Sequence, residues 1–375
     1  MELRRIREGT TELCVPAVDH TASFPPSTVP VFYNPAMELN RDATILLLAI
    51  LCPDHYLDAM GATGIRGFRA AHECGIPVTI NDHNPRALEL IRSNAARLNL
   101  PCECTGMDVN VLCSSRRYDA VDLDPFGTPA PFIDSLIRSA RRYLFVSATD
   151  TAPLCGAHRK AGMRRYGARP RNTDYHAEVA LRILLGFVCR ETIKYDRGIE
   201  PLFCFARSHY VRLHCTVTYG TRAADRALDR MGYVHHCPRC STRKEQKGLI
   251  AETSCCPSCR QEMEAIGPLW MGKIADPSIL QGMQAELPQR VLNTARDLAP
   301  LIATCREELP LSYHYDYHKI AQQAGCSPPP VQTVLEELRA RGYAATRAHY
   351  SGTALKTDAP LDVLSSVIQR VSSSR

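Results

Sequence analysis

Long apolar runs are scarce in this chain of 375 residues. The longest, Ala43 to Cys52, is too short and too interrupted to span a bilayer, so no membrane partner is expected. The opening Met1-Glu2-Leu3-Arg4-Arg5 leads into no apolar signal core. Without such a signal, the seventeen cysteines imply reduced thiols in a cytosol, some of them on metal, and a cytoplasmic protein. Internal repeats and long low-complexity tracts are also missing, and the hydrophobic content of 45% is not that of a disordered chain. The G-x-G-x-x-G fingerprint of dinucleotide binders is absent as well. Acids are absent from one stretch, His158 to Arg171, which carries Arg159, Lys160, Arg164, Arg165, Arg169 and Arg171. The net charge of +6 leans mildly toward polyanions.

Ordered turn motifs are what the chain does have. Tyr56-Leu57-Asp58-Ala59-Met60-Gly61-Ala62-Thr63-Gly64-Ile65-Arg66-Gly67 reads as strand, glycine turn and helix start, with G-x-x-G-x-x-G spacing. Glycines let the backbone approach a ligand at a helix N-terminus. The next strand, Val78-Thr79-Ile80, ends in Asn81-Asp82, where an acid is placed to accept from ribose hydroxyls. Asp108 follows a third strand as an adenine-side acid. Then comes Val121-Asp122-Leu123-Asp124-Pro125-Phe126-Gly127, a buried strand ending in an acid-Pro-aromatic turn. Such a turn gathers a carboxylate, a backbone carbonyl and a flat ring, a set suited to a planar base carrying an exocyclic amine. Asp, Pro and Gly are also ordinary turn formers. The order of the four motifs, one per strand-helix unit, suits S-adenosylmethionine in a doubly wound sheet.

The length allows two or three domains. Residues 1 to about 30 read as an irregular lead-in, with Pro25-Pro26 and Pro30 breaking any helix. A helix is expected over Ala43 to Leu51, a fifth strand over Tyr143 to Ser147 and a helix over Glu178 to Cys189. Leu202 to Ala206 and Tyr210 to Tyr219 read as closing strands. A mostly parallel sheet covered on both faces is implied. Near residue 220 the character changes. Ala223 to Met231 reads as a short helix stopped by Gly232. Tyr317 to Gly325, Val331 to Arg341 and Tyr343 to His349 read as helix, helix and strand, either a winged-helix-like unit or a plain helical hairpin cap. The Ser-rich tail after Val371 is expected to fray.

Cys237-Pro238-Arg239-Cys240 and Cys256-Pro257-Ser258-Cys259 are two C-x-x-C knuckles, fifteen residues apart. This spacing suits a four-thiolate structural zinc closed to water. Cys255 could replace Cys256, although only Cys256 forms C-x-x-C with Cys259. Cys189, Cys204 and Cys215 lie in apolar settings and read as core. The basic stretch at 159–171 reads as a flexible loop beside the site that could hold phosphates of a polynucleotide.

Together these motifs resemble the tRNA (guanine-N2)-dimethyltransferase family, which modifies guanine at tRNA position 26. The resemblance covers nearly the whole chain, through Phe32-Tyr33-Asn34-Pro35 to Asn40-Arg41-Asp42, the glycine loop, Asn81-Asp82, Asp122-Leu123-Asp124-Pro125-Phe126-Gly127, the knuckles and Lys356-Thr357-Asp358-Ala359-Pro360. It implies an α/β fold: a Rossmann-like methyltransferase domain at 1–220 and a C-terminal α+β domain at 221–375 that grips tRNA, with the zinc knuckles at 237–259. It implies that Arg41 and Arg66 hold the methionine end of S-adenosylmethionine, that Asp82 takes the ribose, and that Asp108 with the Val109 backbone takes the adenine. Asp124 would be the catalytic carboxylate, Phe126 the stacking ring, and Phe32 part of the base pocket. No obligate protein partner is implied. Two further classes share parts of the pattern. An exocyclic-amine DNA methyltransferase would use a similar acid-Pro-aromatic turn. A zinc-containing nucleic-acid-binding regulator would explain residues 233 to 356, but not the ordered motifs of 31 to 127.

Overall fold

The computed structural model describes residues 2–17 and 30–373; the Pro25-Pro26 expectation lies outside them. The chain divides into two compact units. The first holds residues 1–148, 212–218 and 277–303, the second 149–211, 219–276 and 304–375. One cut, between Thr218 and Tyr219, falls next to residue 220, but Thr149–Val211 groups with the second unit and Pro277–Ala303 with the first.

In the first unit, parallel strands run in the order Cys102–Thr105, Val78–Asn81, Tyr56–Asp58, Tyr118–Leu123, Ala140–Ala148. Tyr210–Tyr219 lies next to Ala140–Ala148. Parallel neighbours need crossovers. Here they are the helices Ile65–Cys74, Pro85–Leu98, Val109–Ser115 and Ile133–Ser139. By chain order the five parallel strands read third, second, first, fourth, fifth. The order therefore reverses between Tyr56–Asp58 and Tyr118–Leu123. A crevice at such a switch point, outside the carboxyl ends of the strands, is where open α/β sheets bind ligands. The core is fully buried at Leu46, Leu47, Tyr56, Leu57, Phe68, Ile80 and Val121.

The irregular lead-in is a correction. Leu3–Glu8 and Thr11–Pro16 form an antiparallel hairpin, turning at Gly9 with φ +57°. From Thr11 to Val15 the residues alternate between buried and half-buried, which the basic flank at Arg4-Arg5 obscured. The helix expected from Ala43 begins earlier and spans Glu38–Leu51.

The second unit is built on the helix His176–Ile193. A three-stranded antiparallel sheet has Met231–His236 between Arg243–Lys247 and Glu264–Trp270. Gly186 lets the helix approach this sheet, since a Cβ there would meet the Leu269 Cα at 3.0 Å. The expected helix over Ala223 to Met231 ends sooner, at Leu228. Gly232 is a strand residue and not a helix stop, because a Cβ would meet the Gln246 carbonyl at 2.2 Å across the ladder. The strand expected at Leu202 is shifted to Phe205–Arg207, and an unforeseen strand, Arg197–Pro201, precedes it. Its Gly and Pro masked it; Gly198 is needed because the Ala223 carbonyl lies 2.2 Å from where a Cβ would stand. Helices Tyr317–Gln323 and Val331–Ala340 precede Ala345–Arg347, which pairs antiparallel with Ala354–Thr357. Tyr315–Asp316 pairs on the other side. The tail is helical to Ser373, where frayed chain was expected; the Ser372 hydroxyl donates to the Ser327 carbonyl at 2.9 Å. Among the described residues no helix is long and apolar enough to cross a membrane.

Candidate active site and cysteine cluster

The glycine loop after Tyr56–Asp58 is fixed by close approach. A Cβ on Gly61 or Gly67 would meet Ile80 at 2.5 Å, and Gly64 adopts φ +80°. These constraints exclude any larger residue without movement. Asp58 accepts from the Gly67 N–H at 3.0 Å and pins the helix start. Burial pushes the Asp58 carboxyl up to about 7, against the pull of Arg66.

Asn81 ties the ends of neighbouring strands. Its amide donates to the carbonyls of Ala59 and Met107, and its oxygen accepts from Thr105 and the Met107 N–H. Asp82 follows, accepting from the Ala62 N–H and the Asn84 N–H, both at 2.9 Å. The expected ribose acid thus stands against the glycine loop. Asp108 caps the helix Val109–Ser115, where a single oxygen accepts from the Asn110 and Val111 N–H groups at 2.8 and 3.2 Å. Val109, the first residue of that helix, is buried.

Arg66 is buried at the switch point. It donates to Asn40 at 3.1 Å, to Thr44 at 3.0 Å and to Asp124. The Asp124 side chain keeps 23% exposure. Beneath it, Asp122 is fully buried. It accepts from Arg212 at 2.8 and 2.5 Å and from the Tyr56 hydroxyl at 2.6 Å. Burial alone would raise the Asp122 carboxyl, but Arg212 and Arg66 outweigh it and hold the group well below the usual range. Phe126 is 80% exposed, and its ring lies 5.6 Å from that of Phe32 at 71°. So the turn presents a partly exposed acid and one ring, with the Phe32 ring beside it. Arg41 is placed differently: its guanidinium is bidentate on Glu8 of the N-terminal hairpin, at 2.7 and 2.5 Å, and also donates to the Asn34 carbonyl.

The sequence reading missed Asp58, Asn40, Asp122 and Arg212. One signal was available. Asp122 interrupts the apolar run Ala120 to Leu123, and Arg212 and His214 alternate on one face of Tyr210–Tyr219. Their pairing across ninety residues had no local trace.

In the second unit the sulfurs of Cys237, Cys240, Cys256 and Cys259 lie within 4.8 Å of one another. Cys255 is exposed and stands outside this group. Each knuckle closes on a left-handed residue, Ser241 (φ +59°) and Arg260 (φ +63°). Burial would raise the Cys256 thiol, but the N–H groups of Cys259 and Ser258 aimed at it bring it down to about 6. The spacing and the donor set fit a tetrahedral thiophilic ion, for which sulfurs stand ~2.3 Å from the metal. Cys305, Glu308 and His349 also cluster. There the Lys356 ammonium, 2.8 Å from Glu308, already provides the cation.

The basic stretch is a correction in form. It contains a helix, Arg159–Tyr166, and is not a loop throughout. Gly167 ends the helix at φ +54°, and Arg164 and Arg165 sit in its last turn, where cations suit the dipole. Arg165 pairs with Asp150 at 3.1 Å and Arg171 with Glu264, while Lys160, Arg164 and Arg169 are exposed.

Comparison with known proteins gives this geometry a context. The chain is 58% identical to the tRNA (guanine(26)-N(2))-dimethyltransferase of Methanoregula boonei, over 98% of this chain and 99% of that one. It is 59% identical to the protein of the same name from Methanoculleus marisnigri, with the same coverage. The solved structure of Trm1 from Pyrococcus horikoshii with S-adenosyl-L-methionine superposes with a TM-score of 0.88 at 34% identity, over 98% of this chain and all of that one. The profile of the N2,N2-dimethylguanosine tRNA methyltransferases matches residues 9–369. This chain belongs to that family.

Proposed function

We propose that this protein transfers methyl groups from S-adenosylmethionine to the exocyclic N2 of guanine at tRNA position 26, giving N2-methyl- and N2,N2-dimethylguanine. The observation that carries the reading is Asp124, partly exposed at the switch point beside Phe126 and Phe32. The relatives named above support tRNA over duplex DNA as the substrate. S-adenosylmethionine supplies a methyl already activated on a sulfonium, so the protein's work is orientation and charge placement. Arg66 is the cation for its methionine end. Arg41 is a weaker contributor, since Glu8 already engages it. Asp82 takes the ribose, and Asp108 with the Val109 N–H takes the adenine edge.

Guanine N2 is a poor nucleophile, because its lone pair conjugates with the ring. The Asp124 carboxylate accepts an N2 hydrogen bond, raises electron density there and later takes the proton. The base must leave its stack, and Phe126 and Phe32 offer stacking in return. Asp124 must therefore exchange Arg66 for the base.

In this reading residues 1–220 carry methyl transfer and 221–375 grip tRNA in the cytoplasm. The helices Tyr317–Gln323 and Val331–Ala340 with the strands after them act as a winged-helix-like unit, and the exposed cations at 159–171 meet phosphates. Cys237, Cys240, Cys256 and Cys259 hold one structural zinc. Metal analysis tests that assignment: Cys256→Ser should lose about one equivalent and Cys255→Ser should keep it. The methyl-transfer reading is tested with labelled S-adenosylmethionine and three acceptors. Unmodified tRNA with guanine at position 26 should accept label. The same tRNA with adenine there, and duplex DNA, should not. Equal labelling of DNA would overturn it.

A further inference from the structure

A cavity of about 210 Å³ lies within the second unit, and none of the residues proposed for methyl transfer lines it. Its wall includes Arg243, Thr173, Ser241 and Tyr315, with Lys319 and Gln323 also contributing. Drug-sized pockets run to about 300–1,000 Å³. This one suits a smaller group.

Its chemistry is that of a donor set. Arg243 is buried and caged by aromatic rings, with its guanidinium carbon 4.2 Å from the Tyr175 centroid, 4.3 Å from Tyr315 and 5.6 Å from Tyr313. It donates to the His314 carbonyl and, at 2.5 Å, to Asp174. Among the described residues, its buried Nε has no hydrogen-bond partner, nor has the buried hydroxyl oxygen of Thr173. A buried polar atom left unpaired is destabilising, so a ligand that pairs it is favoured. Arg243 and Lys319 outweigh the single charge of Asp174, and the hydroxyls of Thr173 and Ser241 and the amide of Gln323 add donors. Several converging donors around a net positive charge match an oxyanion with several acceptor oxygens. Thr173 also lies two residues beyond Arg171, the end of the acid-free basic stretch, so exposed cations lead along the chain to the cavity.

We infer that this cavity receives one backbone phosphate of the bound tRNA. The inference rests on the tRNA reading above and adds a specific anchoring point to it. Phosphate contacts fix register and carry no base preference. The cavity therefore positions the tRNA and takes no part in the chemistry.

The test uses the full-length protein and unmodified tRNA. Lys319→Ala should weaken tRNA binding by about threefold to tenfold and lower the slope of log affinity against log salt by about one. KM for tRNA should rise with kcat and S-adenosylmethionine affinity unchanged. Lys319→Arg should restore affinity. Lys194→Ala, an exposed lysine of the same unit outside the cavity, should leave the slope unchanged. Thr173→Val is a second variant and should act in the same direction. Ethylation interference gives the decisive readout: one ethylated tRNA phosphate should impair binding to the wild type and have no further effect on Lys319→Ala. Inorganic phosphate, at constant ionic strength, should compete with tRNA on the wild type more than on Lys319→Ala.

An unchanged salt slope, or no phosphate whose ethylation separates the two proteins, would overturn the inference. Phosphate binding without any competition against tRNA would do so as well, leaving a free-ion site. If the wild type itself neither binds nor methylates tRNA, the functional reading has failed instead. That outcome is distinct, because the wild type alone reveals it.

Discussion

One network of buried charges in the first unit ends in a partly exposed acid, whereas another, centred on Glu178 in the second unit, ends nowhere. In the first, Arg212, Asp122 and Arg66 lead to Asp124, and only Asp124 reaches solvent, at 23% exposure. In the second, Glu178 accepts from Lys356 at 2.6 Å and from Arg182 at 2.9 Å and meets His314 at 2.9 Å. Lys356 also pairs with Glu308 at 2.8 Å, and Glu308 meets His349 at 2.7 Å. No side chain of this second cluster exceeds 4% exposure. Both pair carboxylates with basic side chains at similar distances. Perturbed ionisable groups mark functional sites only with some probability, since structural networks perturb them too. What separates these two is the open end. A charge network becomes chemistry where one of its members can exchange a protein partner for a substrate.

The sharpest way to break the comparison is at Lys356. Lys356→Met should destabilise the protein by about 3–5 kcal/mol, because Glu178 and Glu308 are left buried without their shared cation. Urea denaturation measures this. A loss below about 1 kcal/mol would mean that the second cluster can rehydrate, and the closed end would no longer distinguish it. Asp124→Ala is the mirror experiment. It should lower methyl transfer by about 10²–10⁴-fold, the range of a positioned general base. Stability should hardly change, since Asp124 is partly solvated and Arg66 keeps Asn40, Thr44 and Asp122 as partners. Turnover within about tenfold of wild type would remove Asp124 from the mechanism.

Much of the open end was legible in the sequence, and almost none of the closed one. Glycine spacing, strand-end acids and the acid-Pro-aromatic turn are local patterns, each contained in a dozen residues. The same holds for the two knuckles, whose sulfurs meet across only a short insert. Lys356 was noticed as part of a motif, but its partners Glu178 and Glu308 are 178 and 48 positions away. Pairing at that range depends on how helices and strands pack, which no local periodicity encodes. Arg41 shows a subtler limit. The hairpin that supplies Glu8 read as irregular chain, so nothing suggested that this arginine would already have a partner.

Asp82→Ala sharpens the comparison on the ligand side. Loss of hydrogen bonds to a charged group should weaken S-adenosylmethionine by about 1–3 kcal/mol, read by calorimetry. Part of that loss would come through the glycine loop, because Asp82 also holds the Ala62 N–H. Asp82→Asn, which keeps one acceptor oxygen, should lose less. An unchanged dissociation constant in a folded Asp82→Ala protein would mean that this strand does not end at the ribose.

A further effect concerns pH, and it gives Asp58 and Glu308 opposite signs. Asp58 lies under the glycine loop with its carboxyl raised to about 7, while an unfolded Asp titrates near ~3.9. Between those values the folded state holds a proton that the unfolded state has released. Stability from this group therefore falls as pH rises from about 4 to about 7. Glu308 works the other way: burial is outweighed by Lys356 and His349, and its carboxyl is lowered to about 2. Its stabilisation is complete above an unfolded value of ~4.3 and is lost only as pH falls from there toward 2. The second cluster's carboxylates thus add no slope between pH 5 and 7. The buried His314 does: burial lowers it, so the unfolded chain takes up the proton first and stability rises with pH. The wild-type curve alone is a sum of these terms, and a difference is needed. Asp58→Asn keeps an oxygen to accept the Gly67 N–H but cannot titrate. Measured by urea denaturation, its stability relative to wild type should climb steadily from about pH 4 to pH 7. A difference that stays flat over that window would show that Asp58 ionises normally, and that the polar floor of the site is more hydrated than its burial implies.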